Sequence, residues 1–102
     1  MDKNIVKNKV LLQLSPHIFW NCDVNNLDFK KNKEIIIERI IKYGLEDDII
    51  LMWKLYNYRT IKKIAVNIDV LELNRILYYS SMLGIKENDF KCYRKKQFQR
   101  NY

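Results

Sequence analysis

The chain has 102 residues, 48% of them hydrophobic, with one proline and two glycines, a composition that suits one helical core and excludes turn-rich all-β structure. No apolar run approaches the roughly 18 residues that a membrane span requires, and the N-terminus lacks the apolar region of a signal peptide. The net charge of +7 admits an anionic partner. We therefore expect a cytoplasmic protein that does not associate with membranes.

Helix signals follow one another from residue 14 onward. Residues 1–13 carry neither a turn nor a cap signal, so a frayed end or a short strand is expected there. Ser15 and Pro16 suit the N-cap and first position of a short helix. Further helices are predicted over residues 28–43, 45–56 and 60–66, and Trp20 and Trp53 are assigned to the core.

The best-specified element is a helix over residues 69–84. Asp69 and Glu72 have the spacing of a capping box, and Gly84 suits the left-handed residue that ends a helix. Its predicted buried stripe consists of Leu73, Ile76, Leu77, Ser80 and Leu83. If Leu77 is buried in this way, Leu77→Ala should cost about 2–5 kcal/mol of stability.

These elements predict an all-α fold, a single small domain of four to five short helices with a basic C-terminal tail. The expected boundaries are an N-terminal segment over residues 1–13, a helical domain over 14–93 and the tail over 94–102. Five cations without an acid give the last twelve residues a charge of +5: Lys91, Arg94, Lys95, Lys96 and Arg100. Aromatic residues alternate with them, which suits nucleic-acid phosphates and bases, or an acidic partner, although a solvated end has the same composition.

Groups capable of catalysis or metal binding are few. His17 is the only histidine and lies between Pro16 and Ile18, a setting typical of a structural side chain. The carboxylates of residues 46–48 are explained by a helix start, because consecutive helical side chains point in different directions. Cys22 and Cys92 lack metal-ligand spacing. We therefore predict no catalytic residues, no metal site and no cofactor.

Aromatic residues make up 13% of the chain, which is generous for a small core. Tyr78 and Tyr79 are adjacent on the predicted helix, so both cannot lie on one narrow buried stripe. Together with Tyr58 they are candidate contacts for a protein partner, since tyrosine is favoured at interface centres.

Residues 60–84 also resemble a degenerate helix-turn-helix, with Ala65 in the first helix. Asp69 stands where that motif favours glycine, and its charge would lie close to phosphates. Arg75 is the only cation placed to read bases. An ordinary helical hairpin is the favoured interpretation.

Several short motifs carry a family resemblance: LSPHIFW (14–20), LDF (27–29), IIERI (36–40), YG (43–44), LGI (83–85) and FKCY (90–93). In order and spacing they resemble a family of short uncharacterised bacterial proteins over about residues 14–93. Members are often encoded beside AbiEii-type nucleotidyltransferase toxins. The resemblance implies a non-catalytic, antitoxin-like protein that binds and regulates such a toxin. The alternative is a DNA-binding regulator that uses residues 60–84 or the basic tail.

Overall fold

The computed structural model describes residues 3–20, 22–95 and 98–99, and its contacts group the chain into two compact units, Met1–Asn57 and Tyr58–Tyr102. In unit 1 the helices are α1 (Lys3–Leu11), α2 (Lys33–Tyr43) and α3 (Glu46–Leu55), with short 3-10 helices at Pro16–Phe19 and Val24–Asn26. In unit 2 the elements are α4 (Tyr58–Val66), β1 (Leu71–Glu72), α5 (Leu73–Leu83), a 3-10 helix at Glu87–Asp89, α6 (Lys91–Arg94) and β2 (Phe98–Gln99). Helices thus dominate the described ranges, and the predicted all-α class is confirmed.

The N-terminal segment forms helix α1, so the expected frayed end or short strand is wrong. The last residue of α1, Leu11, is buried. Asn8 forms hydrogen bonds to the loop before α2. Asn8 Nδ2 donates to Asp28 Oδ1 at 3.0 Å, and Asn8 Oδ1 accepts from the Phe29 amide at 2.8 Å. These tertiary contacts stabilise a short helix that is marginal by itself.

The core of unit 1 follows the predicted apolar spacing of α2. Its buried isoleucines are Ile36, Ile37, Ile40 and Ile41. The helix begins at Lys33 and not at residue 28, because Asp28 Oδ2 accepts from the amides of Lys30 and Lys31 in a turn of its own. The amide of Gly44 makes the last helical bond, to the Ile40 carbonyl at 2.7 Å, and the extended backbone of Gly44 ends α2 at the predicted residue, Tyr43.

The two tryptophans depart from their predicted places in the core. Trp20 is 70% exposed, because the one-turn 3-10 helix before it buries Ile18 and Phe19 and leaves the next residue facing outward. Trp53 is only half-buried, and its Nε1 is enclosed without a hydrogen-bond partner among the described residues. Ile50 of α3 is also exposed.

Helix α5 begins at Leu73 and not at Asp69, so the predicted capping box is wrong. Leu71 and Glu72 form β1, which pairs in parallel with β2 so that Leu71 lies opposite Phe98. Glu72 takes the N-cap position in an extended conformation, while Asp69 Oδ1 accepts from Lys91 Nζ at 3.0 Å. The pairing of β1 with β2 therefore takes the place of the first turn of the predicted helix.

The buried stripe of α5 consists of Ile76, Tyr79, Ser80 and Leu83. Leu77 is 45% exposed, so the expected cost of Leu77→Ala no longer holds. The predicted stripe and the observed stripe both have helical spacing. The packing of α5 against α4 favours the observed stripe, which buries the Tyr79 ring. At the other end Gly84 adopts φ 66°, and the Ile85 amide bonds to the Ser80 carbonyl at 3.0 Å, as predicted for a left-handed cap.

The start of the basic segment is packed into unit 2. Phe90 and Cys92 are fully buried, and burial raises the pKa of the Cys92 thiol. Arg94 Nη1 donates to the carbonyls of Asn88 and Asp89, each at 2.9 Å. Two of the five cations in the last twelve residues, Lys91 and Arg94, are therefore held by contacts within unit 2.

The helices of the described residues lack the length and apolar character needed to cross a membrane.

Candidate partner-binding site

The tyrosines predicted to contact a partner lie in unit 2 and have different environments. Tyr79 is fully buried, and its enclosed hydroxyl has no hydrogen-bond partner among the described residues, which corrects its assignment as a contact residue. Burial raises the pKa of that hydroxyl. Tyr78 is 42% exposed and packs edge-on against the Tyr79 ring at 5.0 Å between centroids. The predicted split between the two adjacent tyrosines is confirmed.

The third tyrosine, Tyr58, begins α4 and is 44% exposed. Its hydroxyl donates to the Leu83 carbonyl at the end of α5. The ring is therefore held in place at one end while part of it faces solvent.

Unit 1 carries an aromatic surface that the sequence interpretation missed. The Arg39 guanidinium lies over the exposed Trp20 ring, with Cζ 5.4 Å from the ring centroid. Arg39 Nη1 also donates to the Ile18 carbonyl at 3.2 Å, which fixes the guanidinium beside the ring. A polar run directly after Trp20, residues 21–26, was the one signal that the ring stands at the edge of the helical core.

Two exposed apolar side chains extend this surface. Tyr43 follows Arg39 by one helical turn on α2, so the two side chains are neighbours, and the exposed Leu45 follows Tyr43 by two residues, after the Gly44 cap. We call Trp20, Arg39, Tyr43 and Leu45 the Trp20 surface.

A histidine contact supports the backbone beside Tyr43. His17 Nε2 lies 2.8 Å from the Tyr43 carbonyl oxygen, and since a carbonyl only accepts, Nε2 is the donor. One ring nitrogen of His17 is thus hydrogen-bonded, as expected of a structural side chain.

A buried carboxylate, Asp48, bonds to the backbone amide of Leu45, and we treat it with its donors as the Asp48 cluster. Asp48 Oδ1 accepts from the Ser15 amide at 2.8 Å, and Asp48 Oδ2 accepts from the Ser15 hydroxyl at 2.7 Å and the Leu45 amide at 2.8 Å. Burial opposes ionisation, but the hydrogen bonds from Leu45 and Ser15 together outweigh it and hold the pKa of Asp48 below its ordinary value. The cluster joins the start of the Pro16–Phe19 helix to the start of α3.

Among the predicted nucleic-acid contacts, Lys91 and Arg94 are engaged as described above, Lys95 is exposed, and Lys96 and Arg100 lie outside the described residues.

In the helical pair of unit 2, Arg75 is half-buried on α5. The exposed side chains of α5 are uncharged and comprise Asn74, Leu77, Tyr78, Ser81 and Met82. Within the ranges that the structure describes, no three histidine, cysteine or acidic residues group as metal ligands do.

A model of a family of unknown function, DUF6922, matches residues 14–65 of the chain. The chain belongs to this family. The DUF6922 segment contains every residue of the Trp20 surface and of the Asp48 cluster, and it ends near the C-terminus of α4. No curated protein and no solved structure matches the chain.

Proposed function

We propose that this DUF6922 protein is a non-catalytic, antitoxin-like protein that binds and regulates a partner toxin, a nucleotidyltransferase, through the Trp20 surface. The observation that carries the proposal is the 70% exposure of Trp20 beside a fixed guanidinium. A tryptophan that is covered by a partner buries on the order of 150–250 Å². Tryptophan, tyrosine and arginine are also the residues that most often dominate binding energies at protein interfaces.

The Trp20 surface is prepared for binding before a partner arrives. Arg39 is held by the Ile18 carbonyl and by the Trp20 ring, so neither side chain has to be ordered when the complex forms. Ordering one rotamer-rich side chain costs about 0.5–1.5 kcal/mol, and this pair avoids much of that cost.

The choice of a nucleotidyltransferase toxin as partner rests on the family resemblance. The LSPHIFW motif of that resemblance ends on Trp20 itself, and the IIERI motif contains Arg39. Three of the four residues of the Trp20 surface, Trp20, Arg39 and Tyr43, therefore lie within motifs that carry the resemblance.

The alternative of a DNA-binding regulator that reads sequence through residues 60–84 has less support. A recognition helix needs donors and acceptors that reach base edges in the major groove. The exposed side chains of α5 are Asn74, Leu77, Tyr78, Ser81 and Met82, none of which is charged, and the one cation of the helix, Arg75, is half-buried.

The proposal predicts that Trp20→Ala weakens binding to a partner AbiEii-type nucleotidyltransferase toxin by about 30-fold or more, equivalent to roughly 2 kcal/mol. Arg39→Lys should have a smaller effect, because it keeps the charge and loses the planar group that stacks on the ring. Co-purification of the tagged full chain with the toxin, followed by titration calorimetry, measures both changes.

Leu12→Ala is the matched control, since Leu12 is an exposed apolar residue of the same unit outside the Trp20 surface. It should bind the toxin as the unchanged chain does. Circular dichroism checks that each variant is folded. Toxin binding that is indifferent to Trp20→Ala, or no binding by the unchanged chain, contradicts the proposal.

A further inference from the structure

The positive charge of the chain is concentrated in unit 2. Residues 58–102 contain ten basic and four acidic residues, a net of +6, whereas residues 1–57 contain nine basic and eight acidic residues, a net of +1. The predicted tail accounts for only part of the excess, because cations also lie on α4.

The outer face of α4 is a cluster of three exposed cations, Arg59, Lys62 and Lys63. Residues three and four positions apart are neighbours on a helix, with about 5–6 Å between their Cβ atoms. No acidic residue occurs in α4. The salt bridges among the described residues are Lys42–Glu38 and Lys91–Asp69, so none neutralises this face.

An aromatic ring lies beside these cations. Lys62 Nζ is 5.8 Å from the centroid of the Tyr58 ring. Because the Tyr58 hydroxyl donates to the Leu83 carbonyl, the ring is held at its far end, and it is still 44% exposed. A fixed, partly exposed ring among cations has the composition of a surface that binds single strands.

We propose that the outer face of α4 binds single-stranded nucleic acid, with phosphates at Arg59, Lys62 and Lys63 and a base stacked on Tyr58. Binding is tolerant of sequence, because stacking and phosphate contacts carry no base-edge readout. The Tyr58 ring favours nucleic acid over an acidic protein, since an acidic protein is attracted by the cations alone.

This inference goes beyond the toxin-binding proposal, because it concerns another unit of the chain and another class of ligand. Its test needs no toxin, so either proposal can fail without the other.

The experiment measures fluorescence anisotropy of a labelled oligo(dT) with the full chain over a range of salt concentrations. The variant Arg59→Gln, Lys62→Gln and Lys63→Gln should weaken binding by about tenfold or more and reduce the log-log salt slope by about 2, since each single-strand phosphate contact contributes roughly 0.7. Glutamine has a similar helix propensity to lysine and arginine, so α4 should persist.

A second cationic cluster supplies the matched control. Lys30, Lys31 and Lys33 are exposed in unit 1, and acidic residues, Asp28 and Glu34, flank them in the chain. Changing these three lysines to glutamine removes the same total charge and should alter the affinity by less than about threefold. Equal losses in the two triple variants would show that net charge alone attracts the strand, which overturns the proposal.

Two further measurements separate stacking and partner class. Tyr58→Leu should weaken binding of oligo(dT) and leave binding of an abasic strand of the same length unchanged. A labelled polyglutamate of matched charge should bind more weakly than oligo(dT), and equal affinity overturns the assignment to nucleic acid.

If circular dichroism shows the α4 triple variant unfolded, the three single substitutions replace it, and each should lower the log-log salt slope by roughly 0.7.

Discussion

Ile76→Ala is expected to destabilise the chain by about 2–5 kcal/mol, whereas Leu77→Ala at the next position should change the free energy of unfolding by less than about 1 kcal/mol. Ile76 is fully buried on α5, so its truncation loses the transfer energy of the removed groups and leaves a cavity. Leu77 is 45% exposed, and its truncation leaves no enclosed space. Urea denaturation followed by circular dichroism measures both values.

The two substitutions share one helix, one direction of change and nearly the same side-chain volume, so each is the control for the other. A larger effect at Leu77 than at Ile76 would show that Leu77 is buried, as the sequence pattern predicted, and would contradict the observed exposure of its side chain.

Asp48→Ala is expected to destabilise the chain by about 3 kcal/mol or more, because it removes the acceptor to which the amides of Ser15 and Leu45 and the Ser15 hydroxyl all donate. A buried donor left without an acceptor costs about 1–3 kcal/mol. Asp47→Ala is the matched control, since Asp47 is exposed in the same first turn of α3 and should contribute less than about 1 kcal/mol through the helix dipole.

The pH dependence gives a second test of the Asp48 cluster. The pKa of Asp48 is lower in the folded chain than its ordinary value of about 3.9, so the unfolded chain binds this proton more tightly. The stabilisation is therefore fully present above that ordinary value and is lost as the pH falls through the lower, folded value. Asp48→Asn should be less stable than the unchanged chain at neutral pH, and the difference should shrink in strong acid. A difference that persists undiminished in acid contradicts an ionised Asp48.

The candidate sites were only partly visible in the sequence. Excess aromatics indicated a protein-binding surface, but the pattern pointed to Tyr78 and Tyr79 and assigned Trp20 to the core. Whether an aromatic ring at the end of a short helix turns inward depends on what packs there, and the one-turn helix before Trp20 has only Ile18 and Phe19 facing the core. The basic character was evident from composition, but the cluster on α4 becomes a surface only when one helix brings Arg59, Lys62 and Lys63 together.

The sequence by itself determined the local elements whose causes lie within a few residues. The isoleucines of α2 recur at helical spacing, three carboxylates suit the first turn of α3, and Gly84 can take the left-handed conformation that ends α5 without a steric penalty. Only the tertiary structure decided what depends on distant partners. Asn8 stabilises α1 by a hydrogen bond to Asp28, 20 residues away. Leu71 pairs with Phe98, so α5 begins at Leu73 and not at Asp69. Ser15 donates to Asp48 from a distant part of the chain. Hydrogen bonds and packing across such separations are specified by the folded chain, because local periodicity carries no information about which remote group will complete them.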